Sequence, residues 1–306
     1  MNRKLRAALL ALPGLAVLAL SIAGGLWYRP HTPGAAPLLR RLPTSDAVIV
    51  SVDFDALRRA GILGEFENTK AAEETEYRDF ARQIDFDYSR DLDAAVLAIA
   101  PTGKYLLVRG RFNWKKLDAY VESQNGHCER SFCRMQGSTP DRRISFFPVE
   151  SDLMALAVSP DESAALRLST AAAQPDIPAP DAPLWISIPP SVVQSGDTLP
   201  AETRTFARTL AGANSVTLSF VPEQARFAAK LAVRCRTAED ATGLAAQLTR
   251  LTSLLRQTFS SEHQTPNPAD LTGVLAGGTF QSTGTRVSGS WPMERVFLDN
   301  LLGRQN

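Results

Sequence analysis

A run of 22 uncharged residues near the N-terminus constrains this chain more than any other feature. Residues 7–28 carry no charge, and the basic residues Arg3, Lys4 and Arg6 precede them. A helix that crosses the hydrocarbon core of a bilayer needs about 20 apolar residues, and basic flanks stay on the cytoplasmic side. The run ends in a Trp-Tyr pair, which suits the membrane interface. We therefore predict an N-terminal transmembrane helix and a body outside the cytoplasm, on the periplasmic side.

The same segment has a second interpretation as a signal peptide. Small residues, Ser21 and Ala23, stand at the spacing that a signal peptidase requires. Cleavage near Ala23 would release the body as a secreted protein, whereas an uncleaved helix would anchor it. The length of the run and its aromatic end favour the anchor.

Proline-rich stretches divide the rest of the chain. Residues 29–43 contain four prolines and predict a semi-rigid tether after the membrane segment 1–28. Residues 173–183 contain four more prolines and no periodic apolar pattern, which indicates a linker. These breaks define a first α+β lobe at 44–172 and a second α+β lobe at 184–306.

Each lobe shows hairpins followed by helices. In the first lobe, strands are predicted at 94–100 and 105–111, with a Pro-Thr-Gly-Lys turn between them and a helix at 114–122. In the second, Thr237 precedes a long helix and Asp240 completes a capping box. Hairpins pair antiparallel, and helices that follow them pack on the sheet. The predicted fold class is α+β, with two related lobes of antiparallel hairpins, each followed by helices.

Charge and motifs exclude several classes of function. Beyond the N-terminal segment the chain has 30 basic and 32 acidic residues, a net charge of about −2, which gives no footprint for nucleic acid. The sequence has neither a G-x-S-x-G nucleophile elbow nor a phosphate-binding glycine loop. We predict no catalytic residues and no cofactor.

The densest group of carboxylates consists of Asp85, Asp87, Asp91 and Asp93. Their spacing resembles a calcium loop and makes them a candidate weak ion site. However, Arg90 occupies the position where a calcium loop needs glycine, and the twelfth position is not glutamate. The alternative is a solvated turn that leads into a strand, with carboxylates in water at ordinary pKa values, and we favour it.

Cys128 and Cys133 are separated by four residues, which allows a disulfide across a tight loop. In an exported protein this is the expected state of such a pair. Zinc would need about four ligands, and beside His127 the chain has no further histidine nearby, so we predict no metal site. Cys235 follows an alternating apolar pattern and is predicted to be a buried free thiol.

A short internal match points to an aromatic niche. Gly110-Arg111-Phe112 resembles Gly289-Ser290-Trp291, and both are predicted where a strand gives way to a helix. We consider Phe112, Trp114 and Trp291 a candidate ligand niche. The alternative is that these rings are packing anchors between sheet and helix.

Several motifs resemble an uncharacterised family of bacterial membrane-anchored envelope proteins. The motifs are Arg78-Asp79-Phe80, Phe86-Asp87-Tyr88, Asp91-Leu92-Asp93, Gly110-Arg111-Phe112 with Trp114, and Trp291-Pro292. The resemblance extends over most of the body. It implies an N-terminal membrane segment and no known activity.

Together these features favour a membrane-tethered, extracytoplasmic binding or assembly protein that recognises an unknown envelope protein or ligand. Two alternatives remain: a carboxylate-dependent hydrolase that uses residues 85–93, and a passive structural component of the envelope. The position of the acidic side chains, in a cleft or in solvent, distinguishes the binding protein from the hydrolase.

Overall fold

In the computed structural model, twelve strands of the described part of the chain form one antiparallel sheet. The structure describes residues 35–63, 75–137, 139, 141–170, 179–195, 208–223 and 226–301. The predicted transmembrane helix at 7–28 lies outside these ranges. Within them, no helix has the length and apolar character needed to cross a membrane. All the described residues, which begin at Ala35, belong to one compact unit.

The twelve described strands hold three to nine residues each. They are β1 Val48–Asp53, β2 Leu92–Ala100, β3 Gly103–Gly110, β4 His127–Glu129, β5 Phe132–Gln136, β6 Arg143–Glu150, β7 Leu153–Ser159, β8 Leu184–Ile188, β9 Ser215–Glu223, β10 Arg226–Arg234, β11 Thr279–Thr283 and β12 Arg286–Met293. The described helices are α1 Ala35–Leu39, α2 Phe54–Arg59, α3 Thr75–Ile84, α4 Tyr88–Asp91, α5 Trp114–Ser123, α6 Pro190–Ser195, α7 Ala238–Ser261, α8 Leu271–Ala276 and α9 Arg295–Leu301, with a 3-10 helix at Ala164–Ser169.

Local signals account for where several helices begin. Asp53 and Asn113 accept hydrogen bonds from the first-turn amides of α2 and α5. The predicted capping box at Thr237 and Asp240 is present at the start of α7, with both reciprocal bonds formed. The predicted hairpin of β2 and β3 is also confirmed, with a turn at Pro101.

The strand order is β11-β12-β10-β9-β8-β1-β2-β3-β7-β6-β5-β4. The first part of the chain supplies the half from β1 to β4, and the later part supplies the half from β8 to β11. The halves meet where β1 pairs with β8 over four residue pairs. Outward from this seam, one half runs β1, β2, β3, β7 and the other runs β8, β9, β10, β12. In each half the first three strands follow chain order, and the fourth is the second strand of a later hairpin. The α+β class is therefore confirmed as one large antiparallel sheet.

The two faces of the sheet differ in composition. We call the face that carries Val50 the front face and the face that carries Ile49 the back face. Because directly opposite residues share a face, one apolar row can be followed across all twelve described strands of the front face. Its members, from edge to edge, are Phe280, Gly289, Leu231, Leu218, Ile186, Val50, Leu97, Leu106, Leu156, Phe146, Cys133 and Cys128.

Helices cover the two ends of the front face. At the β4 end, α3 and α5 bury Ile84, Leu117 and Val121 against Phe146 and Cys133. At the β11 end, α7 buries a stripe of alanine and leucine side chains against the sheet. The stripe consists of Ala241, Leu244, Ala245 and Leu248. Each end is thus a helix layer on a sheet layer, as the sequence predicts.

The back face has the reverse arrangement. Its centre is apolar, with Ile49 and Ala98 fully buried, and α1 and the 3-10 helix pack over it. Towards β11 the back face becomes more polar and more exposed, and the corresponding row continues through Thr217, Ala232, Ser288 and Gln281, of which the last three are exposed. The central strands are therefore apolar on both faces, which explains the uninterrupted apolar runs of β1 and β2.

Two features that the sequence suggests differ in the structure. Its apolar runs predict a last hairpin with strands at 273–282 and 285–290, but residues 273–276 belong to helix α8, whose first turn is capped by Asp270, and the first strand begins at Thr279. A short apolar run cannot be assigned to helix or strand by periodicity alone. Gly110 ends β3, whereas Gly289 lies within β12, so the matched tripeptides occupy strands that do not correspond in the strand order.

Candidate functional site

The structure brings part of the acidic segment together with part of the aromatic niche. Phe112, which follows β3, and Trp114, the first residue of α5, have ring centroids 5.3 Å apart, and Phe86 stacks on Phe112 at 6.3 Å. A shallow cleft of about 540 Å³ lies at this junction. It is lined by Asp85, Arg90, Asp91, Arg111, Phe112, Asn113, Trp114 and Lys115.

Asp91 is the charged centre of this junction, and only 6% of the residue is exposed. Arg90 donates two hydrogen bonds to its carboxylate, at 2.9 and 2.7 Å, and the Asp87 amide donates a third at 2.9 Å. Arg111 lies 3.4 Å from the same carboxylate. The hydrogen bonds from Arg90 lower the pKa of Asp91 to about 2, against the opposing effect of burial. Such a carboxyl stays ionised at neutral pH and cannot serve as a proton donor.

The four acids of the candidate ion site do not act as one group. Asp85 is exposed and pairs with Lys116 at 3.3 Å, whereas Asp87 caps α4 by accepting a bond from the Ser89 amide at 2.9 Å. Asp93 lies at the start of β2. The expectation that all these carboxylates remain in water is wrong for Asp91, because Arg90 and Arg111 compensate its burial.

Arg58 fixes the same segment from the other side. This side chain, on α2, donates a hydrogen bond to the Ser89 carbonyl at 2.8 Å and another to the carbonyl of Leu92. Gly110 approaches so closely that a Cβ atom there would lie 2.3 Å from the Asp91 carbonyl oxygen. Beside the cleft, α4 is thus held against α2 and β3 by hydrogen bonds and close backbone packing, and we call this junction the corner.

Trp291 does not join the aromatic pair. It lies on β12, is 8% exposed, and packs edge-on against Phe280 with ring centroids 5.2 Å apart. Its neighbours belong to the buried cluster under α7, whereas Phe112 and Trp114 pack in the cluster under α3 and α5. The three predicted niche residues therefore lie in two separate cores.

Cys128 and Cys133 are directly opposite each other on β4 and β5, with sulfur atoms 2.07 Å apart, as in the predicted disulfide. The carboxylate of Asp118 lies 3.3 Å from the Cys133 sulfur, and burial raises its pKa. This trio is the group of potential metal ligands found in the described part of the chain. Because both thiols are consumed in the disulfide, the trio does not fit a metal ion. Cys235 is buried and free, and burial raises the pKa of its thiol.

The middle of the front face forms a second candidate site, which sequence reasoning did not find. We call Ile186, Val50, Leu97 and Leu106 the central strip, because they stand side by side on β8, β1, β2 and β3. All four are only half-buried. In the described part of the chain they belong to none of the buried clusters that helices cover.

The borders of the central strip are well defined. On one side of this row, along the strand direction, Val52 packs in the cluster of Leu57 and Leu63, in and after α2. On the other side Ile99 is 39% exposed, an uncommon state for an isoleucine on a sheet face. The signal for this site was present in the sequence, since β1 and β2 are apolar at successive positions. Only the register shows which of those side chains share the partly open face.

Comparisons with known proteins identify the fold alone. No protein-family model matches the chain, and no curated protein matches it. Solved structures of the protein TP0453 are similar in fold. Crystal form IV has a TM-score of 0.53 at 8% identity, covering 87% of this chain and 94% of that chain. Crystal form III has a TM-score of 0.52 at 8% identity, with 87% and 98% covered. At this identity the likeness extends to the arrangement of helices and strands and carries no function with it.

Proposed function

We propose that this chain is a membrane-tethered, extracytoplasmic binding protein whose central strip receives the apolar side of a helix from a partner protein of the envelope. The observation that supports this most is the row of half-buried aliphatic side chains between two helix-covered ends of one sheet face. Apolar surface rimmed by other structure is typical of an interaction site.

The dimensions favour a helix as the occupant. Neighbouring strands lie about 4.8 Å apart, so the four strands of the central strip span about 14 Å from the first strand axis to the last. A helix with side chains is about 10–12 Å wide. One helix therefore fits between the helix layers at the two ends and would continue their packing on the sheet.

Site-specific photo-crosslinking in membranes tests the proposal. A photoreactive side chain at Ile99, 39% exposed beside the strip, should yield a discrete crosslinked partner. The matched control is Leu166, an aliphatic residue that is 43% exposed on the 3-10 helix of the back face. Equal yields at both positions, or no adduct from Ile99, would contradict the proposal. An added Leu97→Asp substitution should abolish the adduct because it places a charge in the strip.

The membrane location is part of the proposal and has its own test. Its support is the uncharged run at 7–28 with basic residues before it, which would tether the body through 29–43. Alkaline phosphatase fused after Pro43 should be active, because that enzyme needs an oxidising compartment. A well-expressed but inactive fusion would refute export. Recovery of a soluble body that begins at Gly24 would replace the anchor with a cleaved signal peptide.

The geometry favours binding over the two alternatives. A hydrolase that used residues 85–93 would need a carboxyl with a raised pKa, and the buried carboxyl of Asp91 has a lowered one. A passive structural role does not explain why the apolar side chains of the central strip remain only half-buried. We also propose that the two lobes arose by duplication, which the matching strand order on either side of the seam supports.

A further inference from the structure

Two arginines lie side by side on the polar part of the back face. Arg234 of β10 and Arg286 of β12 are directly opposite each other, so their side chains share that face. Both residues are exposed. Like charges directly opposite each other in an antiparallel pair destabilise it, because their Cβ atoms are only about 5 Å apart. The pair therefore needs a compensating negative charge.

The described part of the protein does not supply that charge. Neither arginine forms an ion pair or donates a side-chain hydrogen bond there, although most other arginines at strand positions do. Asp181 is the acid nearest in sequence to the segment that flanks the pair, and it makes no ion pair with either arginine. By contrast Lys230, on the same face of β10, is neutralised by Glu223 at 2.7 Å.

The arginines also border a cleft of about 250 Å³. Ala179 and Pro180 form one wall, and Ser215 and Thr217 of β9 line it beside the sheet. Ser215 is directly opposite Arg234, which extends the polar row from two cations to a hydroxyl. Neither hydroxyl donates a hydrogen bond to another described residue. The cleft thus presents cationic and neutral donors and no acid in its lining.

We propose that this cleft binds a phosphate group, held by Arg234 and Arg286 with Ser215 and Thr217 as additional donors. Guanidinium groups match phosphate oxygens in bidentate geometry, and hydrogen bonds of this charge-assisted kind are the stronger ones. The cleft volume suits a single phosphate and leaves its open side for whatever the phosphate is attached to. The phosphate belongs either to free inorganic phosphate or to the headgroup of an anionic lipid.

Calorimetric titration of the full chain with inorganic phosphate tests the proposal. We expect binding that weakens at least about 10-fold in Arg234→Gln and in Arg286→Gln, because each removes a charge-assisted contact. The matched control is Lys230→Gln, which removes one positive charge from the same face outside the cleft. It should leave the affinity unchanged at a fixed salt concentration.

A parallel arm uses phosphatidylcholine vesicles with and without phosphatidate. Binding to the phosphatidate vesicles alone, lost in both arginine variants, would assign the phosphate to a lipid headgroup. Absence of binding in both arms would overturn the proposal. Equal weakening by Lys230→Gln would overturn it as well, because general surface charge would then suffice. Without phosphate, the two arginine variants should be at least as heat-stable as the parent chain, since the repulsion is relieved.

Discussion

Asp91 offers a quantitative test of how the corner around α4 is held. Its pKa falls from an ordinary value of 3.8 to about 2 on folding, mainly through Arg90. At about 1.4 kcal/mol per pKa unit, this corresponds to about 2.5 kcal/mol of stabilisation at neutral pH. The Asp91 side chain is 8% exposed but that of Arg90 is 60% exposed, so solvent screens part of this interaction and the expected contribution is smaller than that figure. The Asp91→Asn variant should therefore lose about 2 kcal/mol of unfolding free energy near pH 7.

The contribution of Asp91 to the free energy of unfolding depends on pH in a defined direction. Because folding lowers the pKa of Asp91, its contribution is present above pH 3.8 and is lost as the pH falls through about 2. The difference between parent and variant should shrink over that window. The measurement is urea unfolding of the full chain in mild detergent, followed by tryptophan fluorescence between about pH 7 and pH 2.

Asp85→Asn is the matched control for this experiment. Its side chain is 72% exposed, and a surface pair such as Asp85 with Lys116 contributes at most about 1 kcal/mol. If Asp91→Asn costs no more than Asp85→Asn, the carboxylate does not stabilise the corner. Parallel pH curves for parent and variant would equally refute the lowered pKa.

Further predictions concern the disulfide, a helix cap and two glycines. Replacing both Cys128 and Cys133 by serine should lower the unfolding free energy by about 2 kcal/mol in the chain-entropy picture, and alkylation without reduction should leave both residues unlabelled in the parent. Thr237→Ala should cost about 1 kcal/mol by removing the cap of α7, measured by the same denaturation. Gly110→Ala should cost about 1–3 kcal/mol because its methyl group meets backbone, whereas Gly243→Ala, within α7 and with open space around it, should stabilise by about 1 kcal/mol.

Much of the local structure could be predicted because its causes are local. Turn residues marked the β2–β3 hairpin, and Thr237 with Asp240 marked the start of α7. The strands β4 and β5 were missed, since they hold three and five residues around a turn in which Arg130 and Ser131 have positive φ. Such short segments give too few alternations for a period to be recognised.

The arrangement of the sheet and its sites depends on contacts between distant residues. Asp91 is bonded to its neighbour Arg90, but Arg111, twenty positions later, also lies beside its carboxylate, and no pattern near Asp91 predicts this second partner. The central strip is visible only once the register places Val50 beside Ile186. Trp291 resembled Phe112 in local sequence, yet the strand order separates them into different halves of the sheet.

The seam between β1 and β8 has a consequence for how the protein folds. Every other ladder joins strands within one half of the sheet, several of them as local hairpins, whereas Val50 must find Ile186 across the whole first half of the body. Closing so long a loop has a large entropic cost that four residue pairs recover only in part. We therefore expect each half to form its own strands early and the seam to close last. In native-state hydrogen exchange, the amides of β8 should then open at a lower free energy than those of the nine-pair ladder between β9 and β10.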